Sequence, residues 1–246
     1  MNDVINSFKE NLNKIRQLGY VKAINNQNSG IGLTLENLLG KEVDNYPFPD
    51  YKNTIEIKTK LAFSTKPVHL FKLTPEGTSF IESKRLLKEY GYYTHDNLFK
   101  AFNGTVFSNK MVKIGLFNYY SLKVNYKEEK ICLMVYNNEK ELIDNSTYWT
   151  FEKIENALLR KLKYLAFIQV WSTTRGGTKY YKYFKYNIYK FSNIYTFLNL
   201  IDNGIISVTF SIDVYKDTKN YGKIHDHGTT FDIKKEDLDK LFFLIC

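Results

Sequence analysis

The sequence predicts a mixed α/β fold of the α+β kind, and three observations carry that prediction. Apolar residues at helical spacing alternate with strand-like runs through the first two thirds of the chain. The second half is dominated by β-branched and aromatic runs, and no internal repeat or low-complexity break separates the halves. Of the 246 residues, 43% are hydrophobic and 25% charged, a balance that supports a sizeable core and excludes an intrinsically disordered chain.

Each element has a local reason. Val4, Phe8, Leu12 and Ile15 recur at helical spacing, so residues 3–18 read as an amphipathic helix ending near Gly19. After the polar loop NNQNSG, Thr34 can start a short helix that groups Leu35, Leu38 and Leu39 and exposes Glu36. All four prolines, Pro47, Pro49, Pro67 and Pro75, bracket the strand-like run TIEIKTKLAF, so loop geometry is constrained there. FIESKRLLKEYG reads as a helix. MVKIGLFNYYSLKVNY and KICLMVYN read as two strands of a hairpin turning near Glu128 and Glu129. Thr150 can cap the helix FEKIENALLRKLK, whose buried face is Phe151, Ile154, Leu158 and Leu162. YLAFIQVW reads as a buried strand, followed by a strand over 180–189, a helix over 191–202, a strand over 205–215 and a last helix over 234–243.

Charge narrows the function classes. Thirty-five basic against 26 acidic residues leave +9, which favours a polyanionic partner, with nucleic acid first. The excess is localised: from Lys153 to Lys190 there are nine basic residues and one acid, Glu155. Cys132 and Cys246 lack a nearby Cys or His at metal-ligand spacing, which excludes a disulfide framework and a structural zinc site. The first twenty residues lack an apolar signal core, and no run approaches the ~18 apolar residues of a membrane span, so a cytoplasmic protein with no membrane partner is expected.

The sharpest chemical pattern is Asp50, five residues, then Glu56-Ile57-Lys58. On a strand Glu56 and Lys58 project to one face while Ile57 points into the core. Asp50 and Glu56 then offer hard oxygen ligands for Mg²⁺, with Lys58 beside them. Phosphodiester hydrolysis needs such a set: a Lewis acid on the phosphoryl oxygen, an activated water, and a cation opposing the developing charge. On spacing alone the same residues also suit a solvated strand face. Glu36 lies upstream, after Gly30 and Gly32, whose small size permits close backbone approach but equally suits an ordinary turn.

Gly30-Ile31-Gly32 with Glu36, Pro49-Asp50, and Ile55-Glu56-Ile57-Lys58-Thr59 together resemble the active-site core of the MvaI/BcnI type II restriction endonucleases and, more distantly, MutH-type mismatch-repair nickases. The resemblance continues in order through Leu70-Phe71, Asp144-Asn145-Ser146, Tyr148-Trp149, Lys161 to Tyr164, Lys179 to Tyr183, and His225 to Thr229 with Phe231. It implies a PD-(D/E)xK fold: a mixed sheet flanked by helices, with a β-rich DNA-recognition part. It further implies Mg²⁺-dependent cleavage of double-stranded DNA by a monomer, with Mn²⁺ able to substitute and a cognate DNA methyltransferase in the same system. By position Asp50, Glu56 and Lys58 match the catalytic triad, and Glu36 the upstream glutamate. The chain is then one nuclease, with residues 1–75 and 110–175 as catalytic core and 76–109 and 176–246 as recognition part.

The DNA-facing residues follow from charge and face. Lys179, Lys182, Lys185 and Lys190 interleave with Tyr180, Tyr181, Tyr183, Tyr186 and Tyr189, placing cations beside hydroxyls that can contact phosphate; a solvated lysine face over half-buried tyrosines fits the same pattern. His225 and His227 share a strand face near Lys223 and suit base or phosphate contact better than a zinc site, since no further ligand stands at suitable spacing. His69 and His95 read as ordinary surface or core residues. Relatives that read CC-(A/T)-GG carry arginines where this chain has Ser211 and Asp232. Asp213 and Asp232 can accept from cytosine or adenine amino groups, leaving Arg175, His225 and His227 as guanine readers and a different target. Two rivals to a restriction endonuclease fit the same residues: a MutH-like strand-nicking repair enzyme, and a non-catalytic DNA-binding module.

Overall fold

The structure, a computed structural model, describes residues 2–27, 29–41, 48–77, 79–94, 98–217 and 219–246. Pro47 and His95, both read from the sequence above, lie outside the described residues. The chain runs through helix α1 (Asn2–Gln17), strand β1 (Val21–Lys22), helix α2 (Gly30–Leu38), strands β2 (Glu56–Leu61) and β3 (Val68–Lys72), and helix α3 (Ser79–Tyr90). A strand-rich stretch follows: β4 (Tyr92–Tyr93), β5 (Lys100–Val106), β6 (Val112–Ile114), β7 (Asn118–Asn125), β8 (Lys130–Tyr136), β9 (Leu142–Asp144) and β10 (Tyr148–Thr150). Helix α4 (Phe151–Leu162) then leads into β11 (Tyr164–Arg175) and β12 (Thr178–Phe191), and helix α5 (Ile194–Asp202) into β13 (Ile206–Val214), β14 (Ile224–Asp226) and β15 (Thr230–Ile233). A short 3-10 turn, helix α6 (Leu238–Leu241) and strand β16 (Phe242–Leu244) close the chain. No helix among the described residues is long and apolar enough to cross a membrane.

These elements form two compact units, residues 1–68, 158–192 and 242–246, and residues 69–157 and 193–241. The first is built on a sheet of order β1-β12-β11-β2, with β16 also paired to β12. Gly176 and Gly177, with φ of +54° and +75°, supply the left-handed turn that lets β11 and β12 close as a long hairpin. Strand β2 runs parallel to β11, with Glu56 opposite Leu165 and Lys58 opposite Phe167. One sheet face buries Phe8, Leu12 and Ile15 of α1 and Leu35 of α2 against Ile57, Ala166, Ile168, Tyr181 and Tyr183. Each fully buried aliphatic or aromatic side chain in such a cluster contributes about 1.5–3 kcal/mol.

The second unit contains the sheets β10-β8-β7-β6, with β9 paired to β8, and β3-β15-β13-β5-β4, with β14 paired to β13. Aromatic side chains fill its core: Phe71 stacks on Phe231 at 4.9 Å, Trp149 meets Phe231 edge-on at 5.6 Å, and Phe102 meets Tyr120 at 5.4 Å. The Trp149 indole N–H donates to the Leu73 carbonyl at 3.0 Å, so this buried polar group is satisfied.

Several sequence expectations shift. Helix α2 starts at Gly30, four residues before Thr34, and Thr34 is buried within it: its hydroxyl donates to the Gly30 carbonyl at 2.6 Å and accepts from the Ile24 amide at 3.1 Å. The buried face of α2 is Gly30, Thr34 and Leu35, and Leu38, expected on that face, is 37% exposed. The stretch 111–126 is two strands, since Gly115 at φ +72° turns the chain between β6 and β7. The last helix stops at Leu241, because residues 242–244 leave it to pair with β12. The units also divide the chain differently from the expected cuts. Residues 110–157 fall in the second unit, and 176–192 in the first, because β12 is hydrogen-bonded along its length to β11.

Candidate active site

Asp50 and Glu56 are brought together by a tight turn. Lys52 and Asn53 adopt left-handed φ of 47° and 51°, and Tyr51 and Ile55 pair across the turn, with the Tyr51 N–H donating to the Ile55 carbonyl at 2.9 Å. Tyr51 anchors this turn on α1: its hydroxyl accepts from Asn11 Nδ2 at 2.9 Å and lies 3.0 Å from Ser7 Oγ, and its ring meets Phe8 edge-on at 4.9 Å. The Asp50 carboxylate is therefore fixed at the start of β2, where Oδ2 accepts the Ile57 amide at 2.9 Å and Oδ1 accepts Lys41 Nζ at 3.0 Å.

Glu56 is 2% exposed, and strand alternation sets Lys58 on its face. Lys58 Nζ donates to Glu56 Oε1 at 2.7 Å, and Lys161 Nζ from the last turn of α4 stands 3.8 Å from the same oxygen. Burial pushes the Glu56 carboxyl above the usual glutamate range, Asp50 adds to that push, and the Lys58 and Lys161 ammoniums pull against it. Glu56 Oε2 is buried with no hydrogen-bond partner. An orphaned carboxylate oxygen beside a second carboxylate fits a hard divalent cation, which would satisfy that oxygen and offset the repulsion between the two acids. Asp50 and Glu56 are the residues that could hold it.

Glu36 comes to β2 from α2. A Cβ built on Gly32 would lie 3.7 Å from Glu36 Oε1 and 3.8 Å from Thr59 Oγ1, so the glycine leaves room for this carboxylate beside Thr59. Thr59 alternates with Lys58, which sets Glu36 beside the opposite face of the strand from the Glu56 and Lys58 pair. Sequence reasoning missed Lys41 and Lys161 as members of the site. Lys161 had a signal, since it flanks the buried Leu158 and Leu162 stripe of α4; Lys41 had none.

The expected DNA-facing residues divide between the units. In the first, Lys182 and Lys185 share a face of β12 despite their odd spacing, because a bulge opposite Gln169 and Val170 absorbs Phe184. Lys182 Nζ lies 5.5 Å over the Trp171 ring, which stacks on Phe184 at 4.4 Å. Lys179 Nζ donates to the Asn26 carbonyl at 2.8 Å, and the Arg175 guanidinium lies over the rings of Tyr20 and Tyr180. Tyr181, Tyr183 and Tyr189 are buried, so of the expected phosphate-contacting tyrosines only Tyr180 and Tyr186 keep partial exposure.

In the second unit Asp213 faces His225 across β13 and β14, and His227 Nε2 lies 3.2 Å from Asp213 Oδ1. Asp226 points elsewhere, accepting from Ser83 Oγ at 2.5 Å and from the Gly228 amide at 2.7 Å. Lys223 is exposed and donates to Asn220 Oδ1 at 3.4 Å. Asp232, expected to meet bases, is 1% exposed: Oδ2 accepts from the Thr209 and Thr230 hydroxyls at 2.6 and 3.2 Å, and Oδ1 lies 2.5 Å from His69 Nδ1. The outward group is the His69 ring, 63% exposed, which no local pattern in the sequence singles out.

The model of the MvaI/BcnI restriction endonuclease family matches residues 9–242. Among solved structures, a complex of restriction endonuclease MvaI with its cognate DNA is similar at 31% identity and a TM-score of 0.89, over 99% of this chain and 98% of that one. MvaI in the absence of DNA is similar at 29% identity and a TM-score of 0.64, over 99% and 97%. No curated protein matches.

Proposed function

The chain belongs to the MvaI/BcnI restriction endonuclease family and is a site-specific deoxyribonuclease; from that premise we propose that it hydrolyses double-stranded DNA with Mg²⁺ held by Asp50 and Glu56. The observation that carries this reading is the buried Glu56 Oε2, without a hydrogen-bond partner, beside a second fixed carboxylate and the Lys58 ammonium. When bound, Mg²⁺ supplies Lewis-acid polarisation of the phosphoryl oxygen and lowers the pKa of a coordinated water.

The protein groups supply position and charge. The turn at Lys52 and Asn53 holds Asp50 against the start of β2, so no reorganisation is needed when the phosphodiester arrives. Lys58, held on Glu56 at 2.7 Å, presents an ammonium to the water that attacks in line and to the charge developing on the phosphoryl oxygens. Lys161 adds a second cation to the same carboxylate. Glu36, expected as a further catalytic carboxylate, stands on α2 beside Thr59, across β2 from Glu56 and Lys58, and so lies outside the metal-holding pair. Lys182, Lys185, Lys179, Lys223 and Arg175 take the DNA backbone or base edges, and Asp213, His225 and His227 read bases in the major groove.

The enzyme works as a monomer with one catalytic set, cutting the two strands in succession and leaving 5′-phosphate and 3′-hydroxyl ends. Incubation of methylation-free plasmid with the protein and Mg²⁺ should give nicked circles that build up and then decline as linear DNA appears, and sequencing the ends gives target and cut position. Direct conversion to linear DNA together with a stable dimer in sedimentation would overturn the monomer reading. Nicking that never proceeds to linear product would favour a strand-nicking repair enzyme.

A further inference from the structure

We propose that Asp213, His225 and His227 form a binding site for a divalent transition metal of the zinc class, separate from the Asp50 and Glu56 pair. The site arises from strand pairing. Asp213 of β13 and His225 of β14 are directly opposed, so their side chains leave the sheet on one face. The His227 N–H donates to the Ser211 carbonyl at 2.9 Å, which carries the ladder one step further and returns His227 to the same face, two residues after His225.

The ligating atoms converge. His227 Nε2 lies 3.2 and 3.3 Å from the two Asp213 oxygens, His225 Nδ1 lies 3.8 Å from Oδ1, and one ligand atom from each residue falls within 4.8 Å of the others. A tetrahedral centre with bonds of about 2.0–2.1 Å sets its ligand atoms about 3.3 Å apart, so the cluster closes on a metal with small side-chain shifts. The two imidazoles pack with centroids 3.8 Å apart, and Tyr215 stacks on His225 at 3.9 Å and 11°, which holds that ring in plane. The stack restricts rotation of the His225 ring and so keeps its nitrogen aimed at Asp213.

The donor set selects the metal. Two imidazole nitrogens and one carboxylate suit Zn²⁺, Co²⁺, Ni²⁺ or Cu²⁺, whereas Mg²⁺ prefers oxygen ligands and its own waters. Three protein ligands leave a position open, and the side chains keep 32 to 42% of their surface, so solvent reaches the site. The sequence concealed it because Asp213 stands twelve residues before His225, outside any local ligand spacing. The same three residues are the base readers of the proposed function, so metal binding is measured without DNA, where its failure is distinguishable from failure of base reading.

The test uses the full chain carrying Asp50→Asn and Glu56→Gln, so that the carboxylate pair does not contribute, titrated with Co²⁺ and free of DNA. The expected result is one equivalent of Co²⁺ with the visible absorption of a low-coordinate ion, displaced by Zn²⁺ but not by excess Mg²⁺. Asp213→Asn and His227→Ala should each weaken that binding by more than about tenfold, and Cys246→Ser should leave it unchanged. On the same background, Zn²⁺ should shift the imidazole NMR signals of His225 and His227 and not that of His69, a readout that stands even if a variant fails to fold. Absence of Co²⁺ binding, or binding indifferent to Asp213→Asn and His227→Ala, would overturn the proposal and leave a hydrogen-bonded His227 and Asp213 pair.

Discussion

The Asp50 carboxylate accepts the backbone N–H of Ile57 at 2.9 Å, so the acid that opens the motif is tied to the residue between the other two. Asp50→Ala and Glu56→Ala should therefore abolish cleavage while DNA binding persists or tightens, because a metal ligand and a charge facing phosphate are both removed. Lys58→Ala should lose roughly 10²–10³ in turnover, as expected for removal of a positioned charge-stabilising donor. Plasmid cleavage beside a binding titration checks both, and unchanged turnover in any of the three would refute the assignment.

The turn that carries Asp50 uses two non-glycine residues in left-handed backbone. Asn53→Val should destabilise the protein by about 1–2 kcal/mol, since a β-branched residue is strained there, and should slow cleavage by displacing Asp50. Asn53→Gly should preserve both properties. Thermal melts and single-turnover rates separate the two variants, and equal behaviour would show that this turn does not set the site.

Acid stability has a defined contributor in the second unit. Burial works to raise the Asp144 pKa, but hydrogen bonds from Arg85, Ser146 and Tyr90 outweigh it and hold the carboxyl at about 2 against an ordinary 3.8. Because the folded value is depressed, its stabilisation is present above about pH 3.8 and is lost as pH falls towards 2. Arg85→Ala should cost about 1–3 kcal/mol near neutrality and move acid unfolding to higher pH, because Glu82 and Asp144 lose their shared partner. Chemical denaturation across that pH range is the measurement. An acid limb identical to that of the parent protein would contradict this account.

DNA affinity and DNA readout should separate by residue. Lys182→Ala and Lys185→Ala should weaken binding on all sequences alike and lower the salt slope by about 1 each. His225→Ala or His227→Ala should instead relax preference at particular base pairs, by ~1–3 kcal/mol where a good hydrogen-bonded base pairing is removed. Asp232→Asn should act through His69, loosening that ring and altering preference at one base pair. On the resemblance that sets Ser211 and Asp232 at arginine positions of relatives reading CC-(A/T)-GG, cleavage of a methylation-free library should not be confined to that target. Confinement to it would show that these two positions do not set the reading.

The sequence by itself determined the α1 stripe, the Thr150 cap of α4, the paired faces of β2, and the D-x5-E-x-K set with its charge partner. Each depends on residues within one or two turns of one another, where spacing and side-chain period are sufficient. The Thr150 hydroxyl accepts the Lys153 amide at 3.4 Å, and Glu56 and Lys58 do share a face. Only the tertiary structure decided which groups join them from afar. Lys161 reaches Glu56 because α4 ends beside the parallel pair of β2 and β11. The bulge at Phe184 sets Lys182 and Lys185 side by side. Asp232 is buried behind His69, and Asp213 meets two histidines across paired strands. These approaches are set by strand register and burial between segments distant in the chain, for which no local period exists to be read.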